Sequence, residues 1–236
     1  MKSDLVVAVM QPYFIPYIGY FQLIAASDVF VVFDDVNYIN RGWINRNSIL
    51  LDGKDHLITL PLSKASQNKL INEIEISDEE NLNRKKLLKQ IEFSYKKAPF
   101  FQEFFPVVEG FILNEKKNLV DYLVHSIVSI CYYLEIEFNH VLSSAIAKDD
   151  EKKGQYKIAE ICQKLGAKTY VNAIGGIDMY DRSFFAENGV DLRFISKQEI
   201  KYSQFGKEFA PNLSILDVIM FNGKNSASLI KKYSLI

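Results

Sequence analysis

An apolar run, Val6-Val7-Ala8-Val9-Met10, stops at a loop holding Pro12 and Pro16, resumes as a helix-like stretch, and is followed by a second apolar run, Val29 to Phe33, that ends in Asp34-Asp35. The prolines bar a continued central strand and any helix before about residue 16. Pro16 itself suits a first helical turn, where its missing N–H is not needed. Residues 5–10 are therefore expected as a buried strand and Tyr17 to Ala26 as a helix, with Tyr17, Tyr20, Phe21 and Ile24 at i, i+3, i+4, i+7. Strand, loop, helix, strand is the βαβ order of an open parallel sheet. Such sheets bind ligands at the carboxyl ends of their strands, where Gln11, Tyr13, Asp34 and Asp35 fall. The free N–H groups of the helix's first turn favour an anion at the same edge.

The remaining chain extends this pattern. Residues 37–47, with Tyr38, Arg41, Trp43, Asn45 and Arg46, lose the apolar period and are expected as a loop of little core value. The forks of Arg41 and Arg46 suit carboxylate or phosphate; the alternative is a solvated loop anchored by Trp43. Ser48–Leu51 and His56–Leu62 around Asp52-Gly53 signal a hairpin, and Leu70–Ile76 a further strand. From Asn81 to Tyr133 the periodicity is helical. Lys85, Lys86, Lys89, Lys96 and Lys97 make a basic face that is either solvated or in contact with nucleic acid or an anionic headgroup. Residues 138–195 supply β-loop-α-β-α-β, which completes a parallel sheet. Within them, Lys148–Gly154 is expected as a mobile charged loop, and Thr169–Asn172 runs into Gly175-Gly176, a second strand-to-glycine junction. Near the C-terminus, Ser214 or Asn212 is expected to cap a helix, with Asp217 in the N3 position of a capping box.

The expected organisation is a mainly parallel, open three-layer α/β sheet with a helical insertion or subdomain: 1–80 and 137–236 form the α/β parts and 81–136 the helical segment. Composition excludes some functions. A net charge of -1 argues against a binder relying on bulk phosphate attraction. The three histidines are scattered and no metal site is expected. Cys131 and Cys162 belong to no C-x-x-C pair and lie in apolar helical patterns, which suits buried thiols in a reduced, cytoplasmic setting. No apolar run is long enough to span a bilayer.

There is no P-loop, no G-x-G-x-x-G and no G-x-S-x-G. Tyr17-Ile18-Gly19-Tyr20 occupies the place of the H-x-G-H signature of class I (HUP-like) nucleotidyltransferases, with both histidines replaced by tyrosine. That resemblance implies fold and phosphate docking more than adenylyl transfer.

A resemblance covering nearly the whole chain lies in five blocks: Gln11-Pro12-Tyr13-x-x-Pro16-x-x-Gly19-Tyr20-Phe21; Phe33-Asp34-Asp35-Val36-x-Tyr38; Arg41-Gly42-Trp43-x-Asn45-Arg46; Thr169-Tyr170-x-Asn172-x-x-Gly175-Gly176; and Leu213-Ser214-x-x-Asp217. Together they resemble the WbqC-like family, which bacteria carry in O-antigen and other surface-polysaccharide gene clusters. The resemblance implies transfer of glycine, or a related acyl group, to the amine of a nucleotide-linked amino sugar. Such chemistry needs an activated carboxyl, an uncharged amine, a base and donors for the tetrahedral oxyanion. Asp34, Asp35 and Tyr38 are the expected catalytic groups; the alternative for the acidic pair is an N-cap or a salt bridge with Arg41. Gln11, Tyr13, Gly19, Tyr20, Arg41, Trp43, Asn45, Arg46, Asn172, Gly175 and Gly176 are the expected substrate-binding set. The donor stays open between an adenylate made from ATP and Mg²⁺, charged tRNA, and a thioester on a carrier protein. The alternatives are an ATP-using nucleotidyltransferase or ligase-like enzyme and a non-catalytic sugar-nucleotide-binding partner.

Overall fold

Successive residues of a strand point to opposite sides of its sheet, and the layers of this protein follow from that rule applied to the first strand. The computed structural model describes residues 4–77, 82–196, 198–206 and 208–236. Its central strand is β1 (Val6–Met10), paired in parallel with β2 (Val29–Val32) on one side and β8 (Thr169–Ala173) on the other. Outside these lie β7 (His140–Leu142) next to β2 and β9 (Asp191–Ser196) next to β8, both parallel. The two-residue β10 (Ser234–Leu235) closes the β9 edge antiparallel.

Ranked by occurrence, the five parallel strands run 3-2-1-4-5 across the sheet, so the strand order reverses between β1 and β8. Val7 and Val9 face α5 (Gly154–Leu165) and α6 (Arg182–Glu187), forming one core with Ile158, Ile161, Cys162, Phe185 and Phe194. Ala8, Phe30, Val32 and Val171 face the other side. There they meet α1 (Ile18–Ala25), α7 (Ile215–Asn222), α8 (Ser226–Ile230) and three longer helices. The expected three-layer α/β arrangement is what the chain adopts.

Those longer helices are α2 (Leu82–Tyr95), α3 (Phe101–Ile112) and α4 (Leu119–Leu134), with Tyr95, Phe104, Phe111, Tyr122 and Ile127 buried in the same core as the sheet face. Asn81, expected to open α2, lies outside the described residues. Asn118 caps α4 by accepting from Val120 N at 2.9 Å, an arrangement typically worth about 1 kcal/mol. Gly166, at φ 70°, ends α5 in the left-handed conformation that glycine adopts at least cost.

The hairpin is β3 (Arg46–Leu51) and β4 (Lys54–Thr59), turning through Asp52 and Gly53, both at positive φ. Two expectations need correction. The stretch 70–76 is mostly a 3-10 turn, because Glu73 reaches back to accept from Leu70 N at 2.8 Å; only Glu75–Ile76 (β6) is extended, pairing with Leu62–Ser63 (β5). The loop after β2 contributes to the core: Tyr38, Ile44, Asn45 and Asn47 are all buried.

Candidate functional site

The carboxyl end of β1 leads into a turn of unusual geometry. Ile15 has φ 43° and is fully buried, a conformation costly for a β-branched residue unless its surroundings enforce it. They do so by hydrogen bonding. Asn47 Nδ2 donates to Ile15 O at 2.8 Å and to Phe14 O at 3.1 Å, Ser214 Oγ donates to Ile15 O at 2.8 Å, and Ile215 N donates to Pro16 O at 2.9 Å. Ser214 also caps α7 through Leu216 N at 3.2 Å, as expected. Asp217 departs from the expected capping box. Its carboxylate accepts from Tyr95 OH (3.0 Å), Tyr202 OH (2.7 Å) and Gln204 Nε2 (2.5 Å), while Ser214 N donates to Ser48 O.

Fixed in this way, the turn presents Gln11, Tyr13 and Tyr17 beside the loop that follows β8. Tyr17 is 38 % exposed and its ring lies against Gly19. On the β8 side, Asn172 is buried, accepts from Ala173 N at 2.8 Å, and has its Nδ2 only 2.6 Å from where a β-carbon on Gly176 would sit; the Tyr180 ring is 3.2 Å from the same point. Gly176 is thus required by close approach, whereas Gly175 faces open space. Burial, with the neighbouring phenols of Tyr17 and Tyr180, pushes the Tyr13 pKa up; burial raises that of Tyr17, and it raises that of Tyr180 too. All three are therefore neutral hydrogen-bond donors at neutral pH. Tyr180 escaped the sequence reading, and Tyr17 entered it only on the helix face and in the place of the first histidine of H-x-G-H.

The acidic pair divides. Two and three residues past the end of β2, Asp34 and Asp35 bond to different partners. Asp34 is 1 % exposed and accepts from Ser144 N (2.9 Å), Ser144 Oγ (2.6 Å) and Asn72 Nδ2 (3.2 Å), so both its oxygens tie β2 to neighbouring turns. Asp35 faces α5, and its Oδ2 lies 2.7 Å from Lys148 Nζ and 3.1 Å from Lys157 Nζ. Burial pushes the Asp35 pKa up, but the hydrogen bonds of Lys148, Ser143 and Lys157, with the charge of Lys157, outweigh it and hold the carboxyl below its ordinary value. The expected mobile loop at 148–154 is corrected at its first residue, since the Lys148 ammonium is buried in this ion pair.

Several other expected site residues serve the fold. Tyr38 OH donates to Asn45 Oδ1 at 2.8 Å and Asn45 Nδ2 to Leu60 O at 2.8 Å, all buried. Tyr20 is 1 % exposed, packs in the core with its ring tilted against Phe30, and donates to Gln11 O at 3.2 Å. It therefore cannot occupy the role of the second histidine of H-x-G-H. Arg46 Nε donates to Gly42 O at 3.0 Å, while Arg41 (φ 60°) and Trp43 stay exposed on a loop joined to the first turn by Phe14 N donating to Trp43 O. Two further concavities lie elsewhere: one of about 690 Å³ between α3 and α4, and one of about 450 Å³ between the β3–β4 turn and the end of α2. Neither is lined by residues at the strand ends of the six-stranded sheet. Among the described residues, no three His, Cys, Asp or Glu side chains gather to hold a metal ion, and no helix is long and apolar enough to cross a membrane.

Fold and site together define a three-layer α/β protein whose candidate site lies at the switch point of a parallel sheet. Residues 11–229 match the WbqC-like protein family, and the chain belongs to it. It is similar to uncharacterized protein Rv1507c of Mycobacterium tuberculosis (strain ATCC 25618 / H37Rv), 28 % identical over 228 residues that cover 95 % of this chain and 97 % of the relative. No solved structure was found to match the chain.

Proposed function

We propose that the cleft between the β1 and β8 loops binds a nucleotide-linked amino sugar, and that the protein transfers glycine or a related acyl group to the sugar's amine in bacterial surface-polysaccharide synthesis. The observation that carries this reading is the convergence of Tyr13, Tyr17, Tyr180, Asn172 and Gly176 at the switch point. Phenol rings suit the flat or apolar faces of a base or sugar. A buried amide reads hydroxyl and amide groups, and a glycine admits close backbone approach. In the reaction the amine lone pair attacks the carbonyl of an activated acyl group. The C–N bond forms, and the bond to the leaving group (AMP, the tRNA ribose oxygen or a thiol) breaks. Neutral phenols near the acyl carbon would donate to the developing oxyanion.

Asp34, with both oxygens occupied, and Asp35, ion-paired with a lowered pKa, are poorly disposed to take the amine's proton. That observation favours a second reading, in which the protein binds the sugar nucleotide without turning it over. Incubation with a UDP- or dTDP-amino sugar, labelled glycine and either ATP or charged tRNA separates the two. Label on the sugar, lost in Tyr13→Ala and Asn172→Ala, is the expected result. Intact sugar-nucleotide binding with no label under any donor would leave the binding-partner reading in its place.

A further inference from the structure

The outer face of α2 is basic and apolar at once. The helix turns Leu87, Leu88, Ile91 and Tyr95 into the core. Leu82, Lys86, Lys89 and Phe93, at i, i+4, i+7 and i+11, therefore run along its opposite side. Lys85 and Lys96 flank that line, Lys97 follows, and all five lysines are exposed. Lys96 continues the last turn, its N–H donating to Glu92 O at 2.8 Å. Arg84 alone among these cations turns inward, donating to Asn114 O and lying over the Tyr122 ring. Among the described residues, none of the five lysines forms an ion pair.

Charge is strongly segregated as a result. Residues 82–97 hold six cations and one acid, Glu92, a net +5, in a chain that nets -1, so the rest carries -6. Asp78, Glu79 and Glu80 come before the helix in the chain, so its cationic surplus grows toward Lys96 and Lys97. Such a distribution turns this one face toward an anionic surface and the remainder away from it.

Solvation accounts for the lysines but not for what stands among them. Phe93 is 63 % exposed and Leu82 57 %. A single exposed apolar side chain is ordinary; two on one ridge with five lysines make the pattern of a helix at a lipid interface. Lys96 Nζ lies over the Phe93 ring at 5.4 Å, so cation and ring occupy the same place. Past Phe93 the face opens into the concavity of about 450 Å³, where Phe93, Phe205 and Leu50 line the same space as Lys96 and Lys97, with Asp52 its one acid. Rings beside ammonium groups suit an amphiphile whose apolar part meets the ring and whose anionic headgroup meets the lysines. Nucleic acid fits less well. Single-strand binders offer aromatic faces to successive bases, whereas this ridge exposes one ring, and Lys96 covers one side of it.

We propose that this face docks the protein on an anionic lipid surface. Phe93 enters the interfacial layer, and Lys85, Lys86, Lys89, Lys96 and Lys97 meet the lipid phosphates. From Leu82 to Lys96 the ridge runs about 21 Å, and groups on one straight ridge meet a plane together without a change of fold. The surface shares no residue with the β1/β8 junction, so it holds whatever ligand that junction takes.

Flotation of the full chain with vesicles tests it. One set is phosphatidylcholine alone and the other is phosphatidylcholine mixed with phosphatidylglycerol. Wild type is expected to float with the anionic vesicles only, and to be released by salt. Each lysine at such a surface is worth about fivefold in partitioning. Replacing Lys89, Lys96 and Lys97 together by Gln should therefore weaken binding about 100-fold. Phe93→Ser should weaken it severalfold and leave the salt dependence unchanged. These side chains are exposed, so thermal melts of both variants should match wild type. The double variant Lys231→Gln, Lys232→Gln removes charge elsewhere and should bind as wild type does. No binding of wild type to the anionic vesicles would overturn the proposal. So would undiminished binding by both α2 variants, or equal loss in the Lys231, Lys232 control. Tighter binding to a single-stranded oligonucleotide than to vesicles, lost in the α2 variants, would reassign the face to nucleic acid and overturn it too.

Discussion

A β-carbon on Gly19 would stand 2.7 Å from the Cζ and the hydroxyl oxygen of Tyr17, so the Tyr17 ring rests directly on the first turn of α1. Alanine favours a helix over glycine by about 1 kcal/mol, but here it must displace the ring. Gly19→Ala is expected to weaken ligand binding in the cleft while changing stability little. In a Tyr17→Ala background the same change should stabilise by about 1 kcal/mol. Urea melts of the four proteins of this cycle measure the coupling, and purely additive effects would show that ring and glycine are independent.

Asn47 holds two main-chain oxygens of the turn after β1. Asn47→Ala leaves the Phe14 carbonyl without that partner in a buried setting, a loss of about 1–3 kcal/mol. The urea midpoint should fall with an unchanged m-value.

Asp34 separates structure from catalysis. Asp34→Ala removes an acceptor from three donors and should destabilise by about 3 kcal/mol. Asp34→Asn keeps one acceptor oxygen, and where it folds it should retain turnover within about tenfold, because a general base is typically worth a factor of about 100 or more. A folded Asp34→Asn protein with turnover reduced to background would restore Asp34 as the base.

Asp35 shapes the acid limb of stability. Its folded pKa lies below the ordinary value of 3.8, so the unfolded chain binds the proton more readily. The stabilisation is present above the unfolded value and is lost as pH falls through the folded one. Asp35→Asn should show a shallower loss between about pH 5 and the acid transition. At neutral pH it should be less stable by about 3 kcal/mol, because two buried ammoniums lose their counter-ion. Chemical denaturation across pH, with both proteins compared, reads both effects.

Both cysteines are buried, and burial pushes each thiol up to about 12. A thiol reagent such as Ellman's should label neither in the native protein and both in denaturant. Rapid native labelling would mean that the helices carrying them open far more readily than their packing implies.

How much of this was legible beforehand depends on distance along the chain. The strands and helices were, because Val6–Met10, Val29–Val32 and the heptad-like spacing from Leu82 onward carry their own periodicity. So were the two strand-to-glycine junctions, but the reversal of strand order between them was not, because neither segment encodes which strands pair. The Asp35 cluster was not: Lys157 lies 122 residues away, in what reads as an ordinary amphipathic helix. The adjacent carboxylates also misled, because Asp34-Asp35 reads as one acidic site, whereas their partners, Ser144 and Asn72 for one and Lys148 and Lys157 for the other, lie far along the chain. Tyr38 and Asn45 looked functional for a related reason. A buried tyrosine–asparagine bond inside an irregular segment has the same composition as a binding loop. The edge strand β10 is too short for any period to register.

The bond from Ser214 Oγ to Ile15 O spans 199 residues. The turn after β1 is therefore held by a group supplied 199 residues later in synthesis. A chain emerging from the ribosome would have its first βαβ unit, and then the helical segment and hairpin, long before α7 arrives to fix Ile15. Contacts of such separation form late and slowly. Ligand-binding competence at this turn should consequently be acquired late, after the first βαβ unit, the hairpin and the helical segment have formed.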